Sequence, residues 1–270
     1  MPLITSINPN GWRDLENTVA DILRECGMAV QQQVNVPLPR GSVDLDVLAE
    51  EIIEGITSKI VCECKDWRTN VPREKVHAFR TVMDETGANR GYIISRVGFQ
   101  IGAIEAANAT NAELLTFEQF QERYFDKWIA RRCRDIEDAI GNFNVYYEPL
   151  GRPGYHALEN DEARSAYDQV WEHYAFAGIM LMHFSPYMRM LRQAPALPAL
   201  PFDVRELEVQ GLMVPVEVKA ARGYRELLQL LQHYATIGLK ELREVNPLTS
   251  GKSEDKIVQE LDAPMPPHRS

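Results

Sequence analysis

Glu63 and Lys65 stand two apart in Val61-Cys-Glu-Cys-Lys65, a stretch in which charged and apolar residues alternate. On an extended strand that spacing brings both side chains out on one face. Asp44 and Asp46 repeat it upstream, in Val43-Asp-Leu-Asp-Val47. If the two strands pair as a hairpin, carboxylates and an ammonium converge. Two or three carboxylate oxygens on a rigid sheet suit a hard divalent ion such as Mg2+, which keeps several waters and takes its remaining ligands from phosphate. A lysine beside such an ion can orient or deprotonate an attacking water, and its charge can stabilise a developing pentavalent phosphate. The chemistry implied is metal-assisted hydrolysis of a phosphodiester. Glu-x-Lys alone is common on half-exposed strands. Here it lies in a strand expected to be central, where charge is costly unless it is used, and the upstream strand supplies two acids.

The elements that must position these groups follow from periodicity. Gly11 to Cys26 has Trp12, Leu15, Val19, Ile22 and Leu23 at helical spacing, with Gly27 as a stop. Val30 to Val36 reads as a short strand closed by a turn over Pro37 to Gly41. Ser42 to Ala49 alternates, with Val43, Leu45, Val47 and Ala49 on one side and the two aspartates on the other. Ser58 to Lys65 forms the next strand. A helix over Pro72 to Thr86, a strand over Gly91 to Ser95, an Ala-rich helix over Gly98 to Asn108 and a last strand over Glu113 to Thr116 complete this half. The order predicts an α/β fold, a mixed sheet flanked by helices.

From Phe117 onward the patterns are long and helical, over Glu118 to Ile140, Glu162 to Leu191 and Tyr224 to Leu242. They are interrupted by Gly151-Arg-Pro153-Gly154 and by the Pro-rich run from Pro195 to Pro201. Val204 to Val209 and Met213 to Lys219 read as a hairpin about Gly211, on which Glu217 and Lys219 share a strand face and echo the earlier motif. This echo could be a second nuclease-like core, a degenerate nuclease-like element over 203–242 or an exposed strand of a helical accessory domain; the last two are favoured, since no helix with a supporting acid and no close acid pair accompanies it. The expected domains are 1–120, 121–245 and a disordered tail, 246–270, rich in Pro, Ser and charge.

Composition is that of a globular protein, 45% hydrophobic and 25% charged. Met1 to Asn10 shows no basic start and no apolar run, and Ala175 to Met182 is too short to span a bilayer. The expectation is a cytoplasmic protein without membrane contact. Cys26, Cys62, Cys64 and Cys133 lack paired metal-ligand spacing and read better as reduced, buried thiols than as disulfides or zinc ligands. The net charge of −10 runs against nucleic-acid binding, yet only a DNA-facing surface need be basic. The segment after Lys65 is locally positive, with Arg68, Arg73, Lys75, Arg80 and Arg96 as candidate phosphate contacts. Arg123, Lys127, Arg131 and Arg134 form a further stripe along one helix, fit for phosphate tracking or simply for solvent.

Taken in order, several stretches resemble the Mrr-type catalytic domain of the PD-(D/E)xK restriction-endonuclease superfamily, over residues 11 to about 120. They are Leu15-Glu16 in the first helix, the acidic strand Val43 to Glu50, and Val61-Cys-Glu-Cys-Lys-Asp-Trp67. Val71, Val76 and Phe79, then Gly87-Ala88, then Gly91 to Ser95 with Gly98-Phe99-Gln100 and Ala103, and finally Leu114 to Phe120, continue the match. The resemblance implies a restriction-endonuclease-like fold and Mg2+-dependent DNA cleavage, with Mn2+ as a substitute ion. It implies that Asp46 and Glu63 bind the metal, with Asp44 as the alternative acid and the Cys64 backbone carbonyl as a further donor. Lys65 would serve the attacking water, and Glu16 would support the site. By analogy the role is restriction or phage defence, as a homo-oligomer or with a partner subunit. Two alternatives stay open: a nuclease fold that only holds DNA or a partner, and a repair or junction-resolving nuclease.

Overall fold

The structure is a computed structural model that describes residues 3–38, 41–141, 155–191, 193 and 196–246. The chain divides into two compact units, the first ending at Arg132 and the second starting at Cys133. Residues 39 and 40 of the Pro37–Gly41 turn, the whole Gly151–Gly154 break and residues 247–270 of the tail expected to be disordered lie outside the described residues; Asn246, at the start of that tail, is buried.

In the first unit, α1 (Trp12–Glu25) buries Leu15, Glu16, Val19, Ile22 and Leu23 along one stripe. It ends where Gly27 adopts φ 88, a left-handed conformation open to glycine. The strands β1 (Ala29–Leu38), β2 (Gly41–Ile53) and β3 (Ile56–Lys65) then run antiparallel, pairing Val34 with Leu45 and Val47 with Cys62. Next, α2 (Arg73–Thr86) returns the chain, so that β4 (Arg90–Ser95) lies parallel to β3, with Glu63 opposite Ile93 and Lys65 opposite Ser95. The helix α3 (Ile101–Ala107) does the same for β5 (Ala112–Thr116), and the sheet order is β1-β2-β3-β4-β5. This is the α/β mixed sheet with flanking helices that the order of patterns predicts. The Ala-rich helix is shorter than its pattern, starting only after Gln100.

Both faces of the sheet are covered, which is why β4 is buried from Gly91 to Ser95 and β3 is buried at its centre, Ile60 to Cys62, and at Cys64. On one face Val61 and Ile93 pack with Val76, Phe79 and Met83 of α2 and Ala103 and Ala106 of α3. On the other, Tyr92 meets Phe120 and Tyr124 edge-on, from α4 (Phe117–Ile140), whose Trp128 donates to Glu25 of α1 at 2.6 Å. Each fully buried Val, Leu or Phe in such a core contributes about 1.5–3 kcal/mol. Gly91 marks the tightest approach: a Cβ there would overlap Phe79 and Met83. The centre of β3 is thereby held rigidly between two helical layers.

The second unit is helical. It contains α5 (Asp161–Met182), α6 (Pro186–Leu191), α7 (Arg205–Val209), α8 (Val216–Ala220) and α9 (Tyr224–Val245). The pattern over Glu162 to Leu191 is two helices, because Pro186 has no N–H to continue the ladder. Leu227, Leu228, Leu231, Ala235, Leu239 and Leu242 form the buried stripe of α9. It packs on α5 through Phe176 against Tyr234 and a Tyr174 to Glu241 hydrogen bond of 2.9 Å. The expected hairpin of Val204 to Lys219 is corrected by the structure. Both segments are single-turn helices, the second opening after Pro215, whose fixed φ suits a helix start. On these turns Leu207 and Val218 are buried in the helical core, while the β-branched Val209 and Val216 that suggest strands stand exposed.

Candidate active site

The antiparallel ladder of β2 and β3 runs to Val47–Cys62, and its next step falls on Asp46 and Glu63. Asp46 is anchored by the backbone: its Oδ2 accepts from the Cys64 N–H at 2.7 Å. Lys65 Nζ donates to Glu63 Oε1, an ion pair mostly sheltered from solvent. Glu16, 5% exposed on the inner face of α1, accepts from Gln33 Nε2 at 3.1 Å. Burial, then the Glu63 carboxylate, push Asp46 from 3.8 up to about 6; Glu16 adds to the rise, while the Cys64 N–H and Lys65 oppose it. Three acids and one lysine are thus within electrostatic reach of one another, with negative charge in excess.

That excess fits a cation. Asp46 and Glu63 offer carboxylate oxygens, with the Cys64 carbonyl on the same strand. Among the described residues no three His, Cys, Asp or Glu side chains gather as a closed ligand set. Two carboxylates and a main-chain oxygen suit a hard ion that retains waters, not a structural zinc. The four cysteines are buried and none is in a disulfide; burial raises Cys62 and Cys64 well above the usual thiol range, which keeps them protonated.

Asp44 lies elsewhere. It is exposed and accepts from Asn35 Nδ2 at 2.7 Å, two residues down the hairpin from Asp46. The acid that the structure brings to Glu63 is Asp46. Glu217 and Lys219 do not form a second centre: they sit on one helical turn, where residues two apart face different ways. Glu217 accepts instead from Tyr234, and Lys219 pairs with Glu208 at 2.6 Å.

Around the site, the ammoniums of Lys65 and Lys75 both lie over the Trp67 ring, 5.7 and 5.9 Å from its centre. Arg68 and Arg73 are exposed, Arg73 donating to His77 at 3.1 Å. Arg80 is half-buried and reaches the Ala106 carbonyl at 3.4 Å. Arg96 pairs with Asp66 at 3.1 Å across a cleft of about 230 Å³ lined also by Leu15, Phe117 and Glu118. The stripe on α4 is partly neutralised, since Arg123 pairs with Glu113 and Lys127 with Glu51.

Sequence reasoning missed Gln33. It sits where the β1–β2 register would place the partner of Asp46, yet no pair forms there, and its φ is 47. The available signal was Gln31-Gln-Gln33, a run of three polar residues that breaks the alternation of Val30, Val34 and Val36.

With this geometry in hand, comparison with known proteins gives three findings. Residues 7–124 match the family model Mrr_cat, restriction endonuclease. No curated protein matches. Among solved structures, the crystal structure of a protein of unknown function, AF1548, aligns over 90% of this chain and 100% of its own at 13% identity. Its TM-score of 0.37 is too low to carry any inference.

Proposed function

We propose, from the premise that residues 7–124 form a restriction-endonuclease domain of the Mrr type, that the protein is a divalent-metal-dependent DNA endonuclease. The observation that supports this most is the meeting of Asp46, Glu63 and Lys65 at the point where β2 and β3 leave their ladder. Asp46 and Glu63 would hold the ion, Mg2+ or Mn2+, with the Cys64 carbonyl beside them. A bound ion of this kind supplies charge for the scissile phosphate and a more acidic water.

The chain's own residues do the rest. The Cys64 N–H fixes one oxygen of Asp46, and the other would be the one offered to the ion. Glu63 steadies the Lys65 ammonium, which would orient the attacking water and offer positive charge to the developing pentavalent phosphate. Glu16 adds negative charge from behind, strengthening the hold on a cation. Arg68, Arg73, Lys75, Arg80 and Arg96 would carry phosphate contacts along the duplex, where they steer binding more than they specify sequence. Cleavage of both strands calls for two such sites, hence a homo-oligomer or a partner subunit. Restriction or phage defence, in the cytoplasm where foreign DNA arrives, is the role that fits.

The test is cleavage of supercoiled plasmid with Mg2+ or Mn2+ by the native protein, Lys65→Ala and Glu63→Ala. The expected result is nicking and linearisation by the native protein and a loss of at least about 100-fold in each variant. Equal activity in all three overturns the assignment. Binding without cleavage over linear, branched and modified DNA would make the protein a DNA-holding subunit instead, and preference for branched DNA would make it a junction nuclease.

A further inference from the structure

Gln33 occupies the middle of β1 in a left-handed conformation, φ 47, which a non-glycine residue adopts only at a cost. The ladder is unbroken in register on both sides, with Gln32 opposite Val47 and Val34 opposite Leu45, so the irregularity is confined to Gln33 and the residue facing it, Asp46. Its effect on direction is visible in its neighbours. Gln32 bonds Asn17 and Arg24, both on α1. Val34 and Val36, of the same parity, pack instead into the cluster of Val76 and Phe79 on α2. Leu45 belongs to that same cluster, whereas Val47 pairs with Cys62 on the other face of the sheet. At Gln33 the hairpin therefore passes from one face of the sheet to the other, and Asp46 stands at the crossing point. The side chain of Gln33 turns back to donate to Glu16 Oε2, and no other hydrogen bond reaches that carboxylate among the described residues.

The geometry points to Gln33 as a positioning residue of the active site: its backbone aims Asp46 and its amide holds Glu16 in register with it. This rests on the nuclease reading for its purpose but not for its test. A left-handed backbone inside a strand re-aims a side chain much as a bulge does. A buried carboxylate held by one amide donor is free to rotate once that donor is gone. Supporting residues behind metal ligands commonly change metal affinity or activity by about 10- to 100-fold when removed.

The experiment is calorimetric titration of the full-length protein with Mn2+, beside plasmid cleavage and thermal melting. The proteins are wild type, Gln33→Gly, Glu16→Gln, the double variant and Gln33→Val. Glycine accepts φ 47 without strain, so Gln33→Gly keeps its melting temperature while losing the amide. Its Mn2+ affinity is expected to fall about 10-fold, with a matching loss of cleavage. In the Glu16→Gln background the same change should have little further effect, because it acts through Glu16. Gln33→Val, which resists the left-handed backbone, should melt several degrees lower and bind Mn2+ more weakly than Gln33→Gly. Wild-type affinity in Gln33→Gly, or losses that simply add in the double variant, would overturn the inference. Mn2+ binding without cleavage by the wild type sinks the nuclease reading and leaves Gln33 to be judged by the titration. No Mn2+ binding by the wild type overturns both.

Discussion

Asp46 carries the strongest residue-level consequence. In the metal-free protein its proton is lost only near pH 6, against 3.8 for an unperturbed carboxyl, because it is buried beside Glu63 and Glu16. The folded state thus binds that proton more tightly than the unfolded chain does. The stability this group contributes is present in full below the unfolded value and is lost as pH rises through about 6. Asp46→Asn keeps an acceptor for the Cys64 N–H and never carries the charge. In the presence of a chelator, calorimetric melting should find it close to wild type near pH 4. It should be more stable by about 1–2 kcal/mol above pH 7, after allowance for solvent screening. A difference of the same size at both pH values would place the repulsion elsewhere. The pairing of Glu63 with Lys65 was legible from spacing alone, since period two dictates a shared face. The choice between Asp44 and Asp46 was not: both have that period, and only the end of the ladder distinguishes them.

At the scale of elements, the sheet works as a clamp on β3. Parallel strands bring the C-terminal end of β4 beside that of β3, and the Val71–Phe99 bridge ties together the loops that follow them. The grip depends on α2 lying close to β4 over Gly91. Gly91→Ala should cost about 1–3 kcal/mol in denaturant unfolding of the whole chain, from overpacking against Phe79 and Met83. A neutral result would mean that α2 can shift without strain. The helices α1 and α2 could be read from periodicity because each buries one face, and β4 from its short unbroken apolar run, which is buried on both faces. The error over Val204 to Lys219 has the converse cause: short runs of valine and glutamate suit a strand or a single helical turn equally, and the packing of Leu207 and Val218 decides. The kink at Gln33 was announced only by the break in alternation over Gln31 to Gln33, being made by glutamine where glycine or asparagine is usual.

For the molecule as a whole, net charge and charge placement give different answers. The chain is acidic, yet Arg68 and Lys75 remain exposed beside Trp67, while two of the basic residues of α4 are matched with Glu113 and Glu51. Arg68→Ala and Lys75→Ala should each weaken DNA binding at all sequences and lower the slope of log affinity against log salt by about 1. Arg123→Ala and Lys127→Ala should leave that slope unchanged in a fluorescence anisotropy titration. The reverse pattern would move the DNA path onto α4. Among the described residues no helix is long and apolar enough to cross a membrane.

The bond from the Cys64 amide to Asp46 has one more implication. Its donor belongs to the main chain, so any amino acid except proline at position 64 can supply it. A site organised this way can exchange the thiol for a methyl or an isopropyl group and still keep its acid in place. The restraint is invisible to a reader of side chains, and substitution at that position would reveal tolerance where the geometry is in fact most demanding.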